Sequence, residues 1–290
     1  MSINVREVLT PAKKELRNAG FEEVDAEHLL AHLLGISRMD LHHPIRVENA
    51  ISALDDPTLV IEHFSQLITR RLANEPVQYI TGLAYFGDLT LHVGPGVLIP
   101  RPETELMIDR IVAHLKSFDG PASVIDLGAG AGSLALAIAT QSPHAHVIAV
   151  EIDPDAVFWL RKNIEAIGVD VRIVQEDVST ALMGVKADLI IANPPYVPSG
   201  ENLPAEVVDY EPHVALFGGP DGMDVPGRFY EAAARLLKSG GLFISEHGEE
   251  QGLAVASLLQ KDFEDIKLHH DLNDRPRWTS AIRKPHESSN

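Results

Sequence analysis

Between Ser123 and Ala192 the chain strings together four short aliphatic runs. They are Val124-Ile125-Asp126-Leu127, Val147-Ile148-Ala149-Val150, Val171-Arg172-Ile173-Val174 and Asp188-Leu189-Ile190-Ile191-Ala192. Each has the length of a strand and is too short for a helix. They are nearly continuous rather than alternating, so the sheet they form must be covered on both faces. Helical stretches over Ser133–Thr140 and Asp155–Ile167 fall between them. That rhythm predicts an α/β fold, a mostly parallel sheet with helices on both sides. Leu242-Phe243-Ile244-Ser245 and Trp278-Thr279-Ser280-Ala281-Ile282 read as later strands, and only Lys284–Asn290 reads as frayed.

At 290 residues there is room for a second domain, and the first 75 residues have a different texture. Val5, Val8, Leu9, Ala12 and Leu16 make one helical stripe that stops at Gly20. Asp25 is positioned to cap a helix over Ala26–Leu34, which Gly35 closes. Asp56-Pro57 supplies a cap and a first-turn proline for a helix over Leu59–Leu72, with Ile61, Phe64, Leu67 and Ile68 inward. Residues 1–75 are predicted to be a helical bundle with nothing catalytic in it. From 76 to 100, Gln78–Gly82 and Leu89–Val93 alternate like strands between glycines and prolines, which predicts a β-hairpin linker. Ile99-Pro100-Arg101-Pro102-Glu103-Thr104-Glu105 then opens a helix, its proline and two acids suited to a first turn. The α/β domain is expected over 101–287.

Charge narrows the function. Residues 1–80 carry 8 basic and 12 acidic side chains, and residues 81–290 carry 16 and 30. Neither part is basic, which argues against a surface that neutralises many phosphates and against direct DNA binding. There is no cysteine, so disulfides, thiolate metal sites and a cysteine nucleophile are excluded. Met1–Glu7 lacks the basic-then-apolar layout of a signal peptide. No apolar run reaches the roughly 18 residues of a membrane span. A soluble, cytoplasmic chain away from membranes is expected, and a monomer, because no heptad seam is visible.

Three strand ends describe a nucleoside site. Gly128-Ala129-Gly130-Ala131-Gly132 follows the first run and feeds a helix, at the sheet edge where open α/β folds bind ligands. A turn that merely needs glycine is the plainer alternative. The spacing is Gly-x-Gly-x-Gly, not the Gly-x-Gly-x-x-Gly of dinucleotide sites. Glu151 ends the second strand, where its carboxylate can accept from ribose hydroxyls. Asp177 follows the third, able to accept from an adenine amino group with Val178 against the ring. Together they favour S-adenosylmethionine. At the fourth strand end, Asn193-Pro194-Pro195-Tyr196 stops the ladder, because neither proline has an N–H. Each residue that precedes a proline is also held out of the helical region. The Asn193 carboxamide oxygen and the Pro194 carbonyl become fixed acceptors for a substrate –NH2 group, with Tyr196 as an aromatic wall.

These motifs resemble the bacterial peptide chain release factor glutamine N5-methyltransferases, the PrmC/HemK family. The resemblance rests on Asn193–Tyr196, on Ile99–Glu105, on Asp126–Gly132, and on Glu211-Pro212 with Ala215-Leu216, Gly218-Gly219 and Asp221-Gly222. It covers nearly the whole chain. It implies a seven-stranded, Rossmann-like class I methyltransferase sheet after a helical N-terminal domain that recognises the substrate. The implied substrate is the glutamine of the Gly-Gly-Gln motif in class I release factors. The implied cofactor is S-adenosylmethionine, held by Gly128–Gly132, Glu151, Asp177, Val178 and Asn193. Asn193, Pro194 and Tyr196 are implied as catalytic, with Pro195 and Arg101 also facing the substrate. The family more often has Asp where this chain has Glu151, and Thr or Ser where it has Ala129 and Ala131.

Two rivals share the acceptor pair: a ribosomal-protein glutamine methyltransferase, and a DNA or RNA enzyme acting on an exocyclic amine of a flipped base. The Pro-Arg-Pro-Glu-Thr-Glu segment favours the release-factor branch, and the acidic charge disfavours nucleic acid. His28 and His32 share a helical face, and His42-His43 and His269-His270 are pairs, but no further ligand completes a metal site. Asp274, Arg275 and Arg277 read as surface or loop charges, and Glu246 and Glu249 as solvent-facing, with a helix-start or cleft-edge role as the alternative.

Overall fold

The computed structural model describes residues 4–285. Of the tail expected to fray, 286–290 lie outside the described residues. Lys284 is tied down: its amide donates to the Asp262 carbonyl at 3.1 Å and its ammonium to the Gln260 carbonyl at 2.6 Å. The chain divides into two compact units. One comprises residues up to Leu83 together with Pro204–Tyr210, and the other comprises Ala84–Leu203 and everything from Glu211 onward.

In chain order the elements begin with helices α1 (Val5–Asn18), α2 (Val24–Leu34), α3 (Pro44–Ser52), α4 (Val60–Leu72) and α5 (Val77–Thr81). Strands β1 (Leu83–Phe86) and β2 (Leu89–His92), helix α6 (Pro102–Leu115), β3 (Ser123–Leu127) and α7 (Ser133–Gln141) follow. Next come β4 (His146–Glu151), α8 (Pro154–Ile167), β5 (Val171–Gln175), β6 (Ala187–Ala192) and β7 (Val197–Pro198). The chain ends with α9 (Ala205–Val208), β8 (Phe217–Gly219), α10 (Asp224–Leu236), β9 (Leu237–Glu246), α11 (Gly252–Leu259), β10 (Phe263–His270) and β11 (Pro276–Arg283).

The first unit is a helical bundle around Leu16, Leu29, Leu30, Phe64, Ile68 and Ile80. Three details differ from the expectation. Helix α2 begins two residues early, at Val24, so Asp25 sits inside the first turn, where it pairs with buried Arg71 at 2.7 Å instead of capping. In α4 the inward positions are Val60, Phe64, Ile68 and Arg71, at helical spacing, which turns Ile61 outward to 43% exposure. Residues 77–81 are helical rather than extended. Pro76 starts the turn, Gly82 closes it at φ +71°, and Tyr79 and Ile80 are both buried. The hairpin is therefore β1 with β2 alone. Arg71 also pairs with Glu206 at 2.7 Å, and the Tyr210 hydroxyl donates to the Ala73 carbonyl at 2.9 Å, so residues 204–210 are stitched into the bundle.

The second unit carries a seven-stranded sheet in the order β10-β11-β9-β6-β3-β4-β5. β9, β6, β3, β4 and β5 run parallel; at one edge β11 is antiparallel to β9, and β10, antiparallel to β11, runs in the same sense as the other five. Alternate residues feed two cores: Val124, Leu189 and Leu242 on one face, Ile125, Ile190 and Phe243 on the other. The α/β expectation, with its seven mostly parallel strands, holds. β3 lies between β4 and β6, so the strand order reverses there and opens a crevice at the carboxyl ends. Leu127 and Ala192 are register partners, which sends the glycine loop and Asn193 out of the sheet side by side.

Candidate active site

At that crevice lies a cavity of about 320 Å³. Of the residues singled out in the sequence, Gly128, Ala129, Gly130, Ala131, Glu151, Asp177, Val178, Asn193, Pro195 and Arg101 line it. Gly132, Pro194 and Tyr196 are not on its wall. Gly132 starts α7 at φ +91°, and a Cβ there would stand 2.5 Å from Leu160 Cδ1, so its role is helix packing. Pro194 is buried.

The glycine loop is held from beneath. The Gly128 and Ala129 amides donate to the Val150 carbonyl at 2.9 and 3.0 Å, and the Gly130 amide donates to Glu151 Oε2 at 2.8 Å. Fully buried Asn163 of α8 bonds both backbone groups of His92 and the Ala131 carbonyl, tying hairpin, loop and helix together. Nothing in the sequence marks Asn163, because a helical asparagine ordinarily faces solvent.

Two carboxylates sit at the cavity floor. Glu151 Oε1 accepts from the Ile152 and Asp153 amides at 2.8 and 2.9 Å. Burial nonetheless pushes its carboxyl up. Asp126, 1% exposed, accepts from the Ala135 amide through Oδ2 at 3.0 Å, while its Oδ1 is buried without a partner. Burial, with a smaller push from Glu151, raises Asp126 to about 7. In the sequence Asp126 stands out only as part of a strand and of the glycine motif. Its signal was a lone acid inside an aliphatic run. Asp177, more exposed, is lowered chiefly by the Ser179 amide that it accepts at 2.8 Å.

Glu246, which does not line the cavity, is buried rather than solvent-facing. It is 2% exposed and accepts from the Thr104 hydroxyl at 2.5 Å and the Tyr196 hydroxyl at 3.0 Å. Burial raises its carboxyl. The strand runs on to Glu246, past the expected end at Ser245, and so carries this acid into the interior. Asn193 Nδ2 donates to Thr104 Oγ1 at 3.2 Å. Buried Glu211 accepts from the Ile99 amide at 3.0 Å and pairs with Arg101 at 2.6 Å, so two distant motifs of the sequence are one contact. The Gly218–Gly222 motif wraps the backbone of the Pro-Pro-Tyr corner. A Cβ on Gly218 would come 2.5 Å from the Pro195 carbonyl oxygen, and one on Gly222 would collide with that of Tyr196. Gln251 Nε2 donates to the same Tyr196 carbonyl at 2.8 Å.

The PrmC N-terminal domain profile matches residues 7–82 and the methyltransferase small domain profile matches residues 103–209. The release factor glutamine methyltransferase of Corynebacterium glutamicum is 37% identical over 96% of this chain and 99% of its own length. That of Mycolicibacterium smegmatis is 39% identical over 96% of this chain and 98% of its own. The chain belongs to the release factor glutamine methyltransferase family. Among solved structures, the 16S rRNA N2 methyltransferase RsmC of T. thermophilus, in complex with AdoMet and guanosine, matches with a TM-score of 0.53 and 25% identity. That match covers 70% of this chain and 50% of the other. It lies in the fold that the family shares with other methyltransferases. Among the described residues no helix is long and apolar enough to cross a membrane.

Proposed function

We propose that this chain transfers a methyl group from S-adenosylmethionine to the side-chain nitrogen N5 of the glutamine in the Gly-Gly-Gln motif of class I release factors. The observation that carries this reading is spatial. Adjacent strands β3 and β6 deliver the glycine loop, the unpaired Asp126 Oδ1 and the Asn193 carboxamide to one cavity. S-adenosylmethionine, when bound, supplies a methyl group on a sulfonium centre. Asp126 Oδ1 is the partner for its ammonium, which accounts for a buried acid left without a hydrogen bond. Glu151 has about four acceptor positions, three of them taken by backbone amides, and so one remains for a ribose hydroxyl. Asp177 and Val178 take the adenine, and Gly130, with only Val97 as near as 4.0 Å to a would-be Cβ, leaves room above the loop.

An amide nitrogen is a weak nucleophile because its lone pair is delocalised into the carbonyl. Asn193 lines the cavity, and its carboxamide oxygen accepts one of the two hydrogens and aims that lone pair; the Pro194 carbonyl, the proposed acceptor for the other, belongs to a residue buried off the cavity wall. Pro195 and Arg101 border the substrate, and Tyr196 braces the corner through Glu246. Orientation of this kind supplies on the order of 7–11 kcal/mol. No strong base is needed, because methylation makes the nitrogen acidic and water can take its proton. The helical unit recognises the release factor. The chain binds no DNA directly, in keeping with the 16 basic against 30 acidic side chains of residues 81–290, and acts as a monomer, in keeping with the lack of a heptad seam in the sequence. Incubation of Asn193→Ala with release factor and labelled S-adenosylmethionine tests the reading. Normal turnover in that variant contradicts it.

A further inference from the structure

The hydroxyls behind Asn193 form a chain with a direction. Asn193 Nδ2 donates to Thr104 Oγ1 at 3.2 Å, and Thr104 Oγ1 donates to Glu246 Oε2 at 2.5 Å. The Tyr196 hydroxyl donates to the other oxygen, Glu246 Oε1, at 3.0 Å. Thr104 and Glu246 are both buried. A threonine hydroxyl has a single hydrogen. Once that hydrogen is committed to the carboxylate, Thr104 can only accept on its other side. It therefore selects the amino end of the Asn193 carboxamide and turns Oδ1 away from itself. The two ends of a carboxamide are nearly equal in size, so shape alone does not select between them. Among the described residues, the bond to Thr104 is the one hydrogen bond of the Asn193 side chain.

We propose that Thr104, held by Glu246, is a positioning residue that keeps the Asn193 carboxamide oxygen turned toward the substrate amide. The proposal rests on the reading of Asn193 as an acceptor given above. An inverted carboxamide presents N–H to the substrate's N–H, which leaves that hydrogen without an acceptor and the nitrogen lone pair unaimed. Ionised Glu246 sets the direction: one hydroxyl donates to each of its oxygens, which favours the ionised form against its burial, and in that form it only accepts, Tyr196 occupying the second oxygen so that Thr104 keeps the first. Thr104 lies in the first turn of α6 and Glu246 at the end of β9. A purely structural role, tying helix to sheet, is the alternative that the test must separate.

The test uses the full chain with Thr104→Val and Thr104→Ser, measuring turnover on intact release factor, the KM for release factor, and S-adenosylmethionine affinity and stoichiometry by calorimetry. For Thr104→Val the expected result is a kcat lower by about 10- to 100-fold, with KM and cofactor Kd within about twofold of wild type. Thr104→Ser, which keeps the hydroxyl, restores kcat to within about threefold. A structural role instead lowers the cofactor-binding stoichiometry and the activity together. If the valine variant does not fold, Thr104→Ala repeats the comparison with serine. The proposal is overturned if the variant lacking the hydroxyl keeps wild-type kcat, or if serine is as slow as valine. Asn193→Ala in the same assays separates the two levels of the argument. A slow Asn193→Ala beside a fast Thr104→Val removes only the positioning role, whereas a fast Asn193→Ala removes the acceptor reading itself.

Discussion

Replacing Asp126 by asparagine should strengthen the free protein and weaken its grip on the cofactor, and both effects should depend on pH. Asparagine is isosteric, and its carboxamide oxygen can keep the bond from the Ala135 amide, now 3.0 Å long. What it removes is a buried carboxylate whose Oδ1 has no partner. Burial moves Asp126 from 3.8 to about 7. The native state thus holds this proton up to about pH 7, while the unfolded chain releases it near 3.8. The unfolded state then binds fewer protons between those values, and wild-type stability falls as pH rises from about 4 to 7. At about 1.4 kcal/mol per pKa unit, the cost at pH 8 has an upper bound of about 4 kcal/mol. Asp126→Asn should lack this slope, unfolding at higher urea than wild type at pH 8 and at about the same urea near pH 4. Both tryptophans, Trp159 and Trp278, lie in the unit that carries the sheet, so their fluorescence follows it alone. The cofactor's ammonium prefers the ionised acid. Wild-type affinity should therefore rise with pH through about 7, and at pH 8 the variant should lose about 1.5–3 kcal/mol of binding, the worth of a charged hydrogen bond. A variant with the wild-type slope, or with undiminished affinity, would refute the assignment.

Other variants probe the remaining roles. Asn193→Ala should lower kcat by about 10²–10³-fold, with S-adenosylmethionine affinity by calorimetry within a few-fold of wild type. Glu151→Ala should do the reverse, weakening cofactor binding most, and an unchanged Kd would remove the ribose assignment. Gly132→Ala meets Leu160 and Leu136 and must adopt φ +91°, so a loss of about 1–3 kcal/mol in urea unfolding is expected. On the helical unit Met39 and Ile45 are 63% and 73% exposed. Aspartate at both should raise KM for intact release factor without changing cofactor affinity, and an unaltered KM would move recognition elsewhere.

The strands that build the cavity were legible because each is a continuous aliphatic run, and a buried strand has no other way to look. α5 was misread because Gln78–Gly82 is too short to display a period, and only Pro76 before it and Gly82 after it mark a helical turn. β10 escaped because an edge strand such as Phe263–His270 alternates apolar with charged residues and resembles a surface loop. At the site, Asn193, Glu151 and the glycines announce themselves at strand ends. Asp126, Thr104 and Glu246 do not, because their importance is burial, and burial of a polar side chain is decided by partners distant in sequence. Thr104 and Glu246 stand 142 residues apart. The pairing of Glu211 with Arg101 is of the same kind: each motif was visible, but not that they touch.

The central claim, that this cavity methylates a glutamine side chain, is tested most directly by peptide mass spectrometry. Release factor, ribosomal protein and nucleic acid would be incubated in parallel with the enzyme and S-adenosylmethionine. The account predicts one added methyl group, on the glutamine of the release factor's Gly-Gly-Gln segment, and none there with Asn193→Ala. A methyl group found instead on nucleic acid or ribosomal protein, with the release factor unmodified, would contradict it.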